Sequence, residues 1–183
     1  MLRNTDRILT THAGSLPRPK DLLDMMKVKV DGQPYDKAAY DARVKKAVAD
    51  IVRQQVDAGV DIVSDGEMSK IGFFMYANER LAGYEKRPGA KYQLFAKEVA
   101  AFPEYYESYF ARAMLGGTVT PPVPIFCVGP VSYVGQDLLK KDIDNLKAAV
   151  AAAGAKYAFM PSTAPSAIPY NEDRKSTRLN SSH

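Results

Sequence analysis

Two stretches far apart in the chain are built alike. "DAGVDIVSD" (Asp57 to Asp65) and "AAGAKYAFMPS" (Ala152 to Ser162) each run from a helical segment through Ala-Gly and two further residues into an apolar strand with a polar end. Glycine is the natural residue at such a helix stop, because the left-handed backbone required there carries no Cβ penalty. A chain that repeats this joint launches its strands the same way each time. Alternation of strands and helices through such joints signals parallel strands covered by helices, which confines the chain to the α/β class.

The remaining segments fit that scheme. "RILTT" (Arg7 to Thr11) reads as strand one, stopped by the Gly and prolines of "HAGSLPRP". A short helix follows from Lys20 to about Lys29, and "DGQP" breaks it before a long helix over Asp36 to Ala58. In that helix Tyr40, Val44, Val48, Ile51 and Val52 fall at helical spacing and form one inward stripe. "VDIVSD" is strand two, "PVPIFCVG" (Pro122 to Gly129) strand three, and "AKYAFMPS" strand four after a helix from about Gln136 to Ala153. Between strands two and three lie about sixty residues of lid-like material, including the helical "FPEYYESYFARAM". Four strands with three crossovers fit either a small doubly wound sheet or half of an eight-stranded barrel. The sequence breaks off after strand four with no helix to cover it. The expected fold is therefore the N-terminal half of a (β/α)8 TIM-type barrel, truncated after about the fourth strand and spanning residues 1–172.

The last eleven residues, "DRKSTRLNSSH", have no periodicity and follow the Pro- and Ser-rich "PSTAPSAIPYNE". They read either as a disordered polar terminus or, residue for residue, as the translation of a common sequencing adapter. The second reading makes residues 173–183 a non-native tail, and it leaves His12 as the native histidine. The tail carries three basic residues against one acid, so the net charge of +4 falls to +2 without it. Elsewhere bases are interleaved with acids, as in "YDKAAYDARVKKAVAD", which argues against a nucleic-acid partner. Neither a signal-peptide run nor a membrane-length apolar stretch is present, and the expectation is a cytoplasmic protein with no membrane partner. The lone Cys127 cannot form an internal disulfide and reads as a core residue of "PIFCVGP".

In parallel architectures chemistry gathers at the carboxyl ends of the strands. Those ends here are "THAGSLPRP", "SDGEMSK" and "VGPVSYVGQ". Asp65 and Glu67 stand where a carboxylate meets a ligand's cationic group; alternatively Asp65 or Ser69 caps a following helix, with Glu67 in its first turn. Gly14 and Ser15 form either a ligand-binding loop or a tight turn in which Ser15 bonds its own backbone. His12 is either a functional group or a packed, hydrogen-bonded histidine. Tyr105, Tyr106, Tyr109 and Phe110 share a helix and read as a packing face. The sequence has no GxGxxG and no GxxxxGK[ST], and one native histidine with one cysteine does not make a tetrahedral zinc site.

The ordered motifs "ILTTHAGSLPRP", "GVDIVSDGEMSK", "CVGPVSY" and "AFMPSTAP" resemble the cobalamin-independent methionine synthase family, in particular the single-barrel homologues of its catalytic domain. The resemblance runs from about Asn4 to Glu172. It implies a barrel enzyme that moves a methyl group from a methyltetrahydrofolate-type donor to the zinc-bound thiol of homocysteine, giving methionine. It further implies that Ala13, Gly14 and Ser15 contact the amino acid and that Glu67 holds its ammonium, with His12 and Asp65 as further candidates. Three departures are visible. Ala13 stands for the family's isoleucine, Asp65 for its histidine, and the folate-contacting "SRC" element has no counterpart near Arg87. The zinc ligands, and with them any catalytic residue, are implied to lie in a missing C-terminal half, so this fragment is expected to be inactive and without zinc. Its partners are expected to be homocysteine and a folate-type donor, with association through exposed strand edges. Rival readings are a related barrel such as a coenzyme M alkyltransferase or uroporphyrinogen decarboxylase, and a small non-catalytic α/β binding module.

Overall fold

Asp36 opens the longest helix by accepting the Ala39 N–H on its side chain at 3.0 Å, which satisfies one of the donors a helix start leaves free. That helix, α2 (Lys37–Asp57), follows α1 (Lys20–Val30) and precedes the strand β1 (Ile62–Ser64). Its buried stripe is Tyr40, Val44, Ala47, Val48, Ile51, Val52 and Gln55, so the expected apolar face is present with one polar member added. The computed structural model describes residues 6–72, 75–87, 96–113 and 125–164. The tail at 173–183 and residues 122–124 of the third expected strand lie outside the described residues. Two compact units emerge, one of residues 1–71 and 136–162 and the other of residues 72–135 and 163–183.

The first unit contains both repeated joints. After α2, Gly59 has φ +79°, the Gly59 N–H reaches Val56 O at 2.9 Å, and the Val60 N–H reaches Gln55 O at 2.9 Å. After α5 (Gln136–Ala153), Gly154 has φ +68° and the Ala155 N–H reaches Val150 O at 3.2 Å. Both are glycine-terminated helix ends in which the residue after the glycine bonds back to the last turn. The strands that leave them pair in parallel, β1 with β4 (Tyr157–Phe159), in the register Ile62↔Tyr157, Val63↔Ala158 and Ser64↔Phe159. Each strand begins at the same distance from its glycine, so the two joints lie in step. Val63 is fully buried, whereas Tyr157 is 43% exposed.

Strand one contracts to a single parallel bridge, Thr11 to Ile62. Its residues are held largely by Asp61, whose carboxylate accepts the Thr10 N–H at 2.8 Å and pairs with Arg7. These partners hold the Asp61 carboxyl well below the usual carboxylate range. Helix α1 contributes the buried Leu22 and Met26 and is tied to α2 by Arg43, which donates to both Asp21 oxygens at 2.6 and 2.9 Å.

Gln55 caps the end of β1 from the side. Its amide donates to Ser64 O at 2.8 Å and accepts the Ser64 N–H at 3.0 Å, so one side chain serves as the missing neighbouring strand. Replacing Gln55 with leucine leaves both Ser64 backbone groups unpaired in a buried position. The expected loss is about 3 kcal/mol of unfolding free energy, read as a lower urea midpoint of first-unit helicity. An unchanged midpoint would show that the amide does not hold the strand end.

The second unit corrects the expected third strand. The segment does form a strand, β3 (Ile125–Tyr133), but it pairs antiparallel with β2 (Leu81–Lys86) rather than joining the parallel set. The pairing slips between Ala82 and Tyr84, where Gly83 has φ +90°. A Cβ on Gly83 would stand 2.5 Å from Pro130 O, so only glycine lets the two backbones approach there. Cys127 sits half-buried in β3, its Sγ 3.4 Å from Gly129 O. The unit also holds a 3-10 turn (Met75–Glu79), α3 (Ala96–Ala101) and α4 (Pro103–Ala113). On α4, Tyr105 and Tyr109 stack with ring centroids 6.0 Å apart, yet are 62% and 40% exposed. These two do not form the packing face expected of the helix, and the Phe110 side chain lies outside the described residues. The fold class is α/β.

Candidate functional site

The carboxyl end of β1 turns sharply at Asp65-Gly66-Glu67-Met68. Gly66 and Glu67 both have positive φ, +60° and +59°, and the Met68 N–H returns to Asp65 O at 3.2 Å. Two positive φ values at the centre of a hydrogen-bonded turn define type I′, which glycine and asparagine favour. Glutamate at its second centre is the outlier. Glu67 is the one non-glycine residue with positive φ among the described residues, a conformation that costs of order 1 kcal/mol unless its surroundings enforce it.

The surroundings do enforce it. Asp65 Oδ1 accepts the Glu67 N–H at 3.0 Å, and Gly66 O accepts the Leu16 N–H at 3.1 Å. Arg18 Nη2 donates to Glu67 O at 2.9 Å and to Lys70 O at 2.7 Å. Burial pulls the Arg18 guanidinium pKa down, opposed chiefly by Glu67, but an arginine stays charged at neutral pH. Lys70 in turn donates to Pro161 O at 2.6 Å, beyond β4. The ends of strand one, β1 and β4 are thus stitched together by two cations, Arg18 and Lys70.

Ser15 and Glu67, from different strand ends, meet directly: Ser15 Oγ donates to Glu67 Oε2 at 2.7 Å. Glu67 is 2% exposed, while Ala13, Gly14 and Ser15 are exposed, so the carboxylate lies beneath a loop that reaches solvent. Gly14 carries φ +99° at the loop's bend. The hydroxyl of Ser15 goes to Glu67 rather than to its own backbone, and no helix begins at Asp65 or Ser69. Neither local alternative to a binding role is therefore observed.

The Asp65 side chain is 3% exposed: its Oδ1 accepts the Glu67 N–H, while its Oδ2 lies 3.6 Å from Lys70 Nζ with no hydrogen-bond partner among the described residues. Burial pushes its carboxyl pKa up, Lys70 opposes this most strongly, and the nearby Asp142 of α5 adds to it. Through the Glu67 N–H, Asp65 supports the turn. His12 is half-buried and its Nε2 has no hydrogen-bond partner among the described residues. Gln55, Arg18 and Lys70 were not singled out from the sequence. Arg18 lay in plain view in "SLPRP", but no spacing rule says that its guanidinium turns to the next strand's loop.

The family model for the cobalamin-independent synthase catalytic domain matches residues 8–156, which include every side chain of this site except the Pro161 contact. This chain belongs to that family. Among curated relatives, a methionine synthase of Sulfolobus acidocaldarius is 35% identical over 80 residues, covering 42% of this chain and 22% of that protein. A methionine synthase of Sulfurisphaera tokodaii is 36% identical over 76 residues, with the same two coverages. A 5-methyltetrahydropteroyltriglutamate–homocysteine methyltransferase of Bacillus mycoides is 25% identical over 150 residues, covering 73% of this chain and 19% of that protein. The synthase-family chain thus spans about a fifth of the length of the relatives it matches. Among its described residues no three His, Cys, Asp or Glu side chains stand together as a metal site, and no helix is long and apolar enough to cross a membrane.

Proposed function

We propose that this chain supplies the amino-acid end of a methyl-transfer site, in a protein that converts homocysteine to methionine in the cytoplasm. The observation that supports it is the 2.7 Å bond between Ser15 and Glu67, which joins an exposed strand-end loop to a buried carboxylate. An ammonium group takes the place of the Ser15 hydroxyl at Glu67 and makes a stronger, charge-assisted bond there. Ala13, Gly14 and Ser15 meet the rest of the amino acid. In the reaction the homocysteine sulfur bonds to the N5 methyl of a methyltetrahydrofolate, the N5–methyl bond breaks with its electrons going to nitrogen, and the thiol proton is lost. The Bacillus mycoides relative's name carries this donor and acceptor. The half-barrel scaffold belongs to the same proposal. Its support is the parallel order of the Thr11 bridge, β1 and β4.

The described residues do not fit a zinc ion, so thiol activation is assigned to residues outside them. This chain alone is expected to bind the amino acid and not to transfer a methyl group. Calorimetric titration tests the reading with L-homocysteine, L-methionine, 4-(methylthio)butanoate, which lacks the ammonium, and coenzyme M. Both amino acids should bind about tenfold or more tightly than the other two. Equal binding of the des-amino compound, or preference for coenzyme M, would remove the role given to Glu67.

A further inference from the structure

Two peptide planes flank the Cα of Glu67, and the torsions φ and ψ are fixed once both planes are. The first, between residues 66 and 67, is anchored at each end: its carbonyl by the Leu16 N–H at 3.1 Å and its N–H by Asp65 Oδ1 at 3.0 Å. The second, between residues 67 and 68, is anchored at its N–H by Asp65 O at 3.2 Å and at its carbonyl by the Lys70 N–H at 3.0 Å and by Arg18 Nη2 at 2.9 Å. The Asp65 and Lys70 bonds are internal to the turn and move with it. Arg18 is different, because it comes from another strand end and also holds Lys70 O at 2.7 Å, gripping both ends of the segment from 67 to 70. Arg18 gives these bonds to backbone oxygens and none to the Glu67 carboxylate, which is left to Ser15.

We infer that Arg18 is the positioning residue that locks Glu67 in its left-handed backbone conformation, and so aims the Glu67 carboxylate at the loop of Ser15. This rests on the reading of Glu67 as the ammonium-binding group only for its consequence in binding; the backbone lock stands on the geometry. A single nitrogen of Arg18 serves both carbonyls, so a lysine amino group with its rotatable donors replaces it in kind, whereas a methionine of similar reach does not.

The experiment uses the full 183-residue chain, isotope-labelled, as wild type, Arg18→Met and Arg18→Lys. A residue with positive φ brings its own amide and α protons unusually close, and gives a strong cross-peak between them. Wild type and Arg18→Lys should show that strong cross-peak at residue 67, and Arg18→Met should lose it while Gly59 and Gly154 keep their helix-end signatures. In parallel, Arg18→Met should weaken L-methionine binding by about tenfold or more, and Arg18→Lys should restore most of it. Should Arg18→Met fail to fold, Arg18→Gln, whose shorter amide cannot span both carbonyls, is read by the same criterion. Persistence of the residue 67 cross-peak without Arg18 overturns the inference, as does its absence from wild type. If the cross-peak responds as expected but wild type binds no L-methionine, the amino-acid reading fails and the backbone lock remains.

Discussion

Replacing Glu67 with glutamine should lower the affinity of this chain for L-methionine by about tenfold to a hundredfold while leaving its unfolding midpoint close to that of wild type. The reasoning separates charge from shape. Glutamine keeps the length of the side chain and an oxygen that accepts from Ser15, which now stands 2.7 Å from Oε2. Its left-handed backbone is held by groups that touch only main-chain atoms, so the turn survives. What disappears is the negative charge, and a charged hydrogen bond is worth roughly 1.5–3 kcal/mol. Removing a carboxylate that is 2% exposed also removes a desolvation cost, which offsets the lost attraction for Arg18, so stability should hold. The measurement is a pair of titrations with L-methionine and its des-amino analogue. The analogue should bind both proteins equally, and a variant that binds L-methionine as well as wild type would detach Glu67 from ammonium recognition.

The site was legible where it rests on local chemistry and illegible where it rests on reach. Gly59 and Gly154 announce themselves because few residues other than glycine take the left-handed stop, and the shared spacing to Ile62 and Tyr157 becomes a register in the sheet. Ser15 and Glu67 could be named as neighbours from the rule that parallel strands gather their loops at one rim. The strained φ of Glu67 could not, since Asp-Gly-Glu reads equally as a helix start. Gln55 carries no signal in the sequence, and only the position of Ser64 shows why a polar residue belongs there. The hairpin of β2 and β3 was missed for a similar reason. "LAGYEK" falls within the lid-like material, whereas the missing side chain of Gly83 is what admits Pro130 O.

Lys70 offers the largest stability effect. Its side chain is 2% exposed, and it joins the β1 turn to the segment after β4 through Pro161 O while facing Asp65 at 3.6 Å. Lys70→Met fills the same space without a charge and strands the buried Asp65 carboxylate. Breaking a buried pair from one side typically costs about 3–5 kcal/mol, against about 1 kcal/mol for an exposed one. The pH dependence identifies the cause. Burial already holds the Asp65 carboxyl above its ordinary range, with Lys70 opposing that shift, so removing Lys70 raises it further. A carboxyl whose folded pKa exceeds its unfolded value binds more protons when folded, and stability falls as pH rises between those two values. The deficit of Lys70→Met relative to wild type should therefore be full at about pH 7 and shrink toward pH 4, near the ordinary aspartate value, where a neutral Asp65 needs no cation. Adding Asp65→Asn, which keeps the oxygen that accepts the Glu67 N–H, should recover much of the loss at pH 7. Chemical denaturation of the four proteins at both pH values measures this. A deficit that ignores pH and survives Asp65→Asn would mean that Lys70 acts through Pro161 alone.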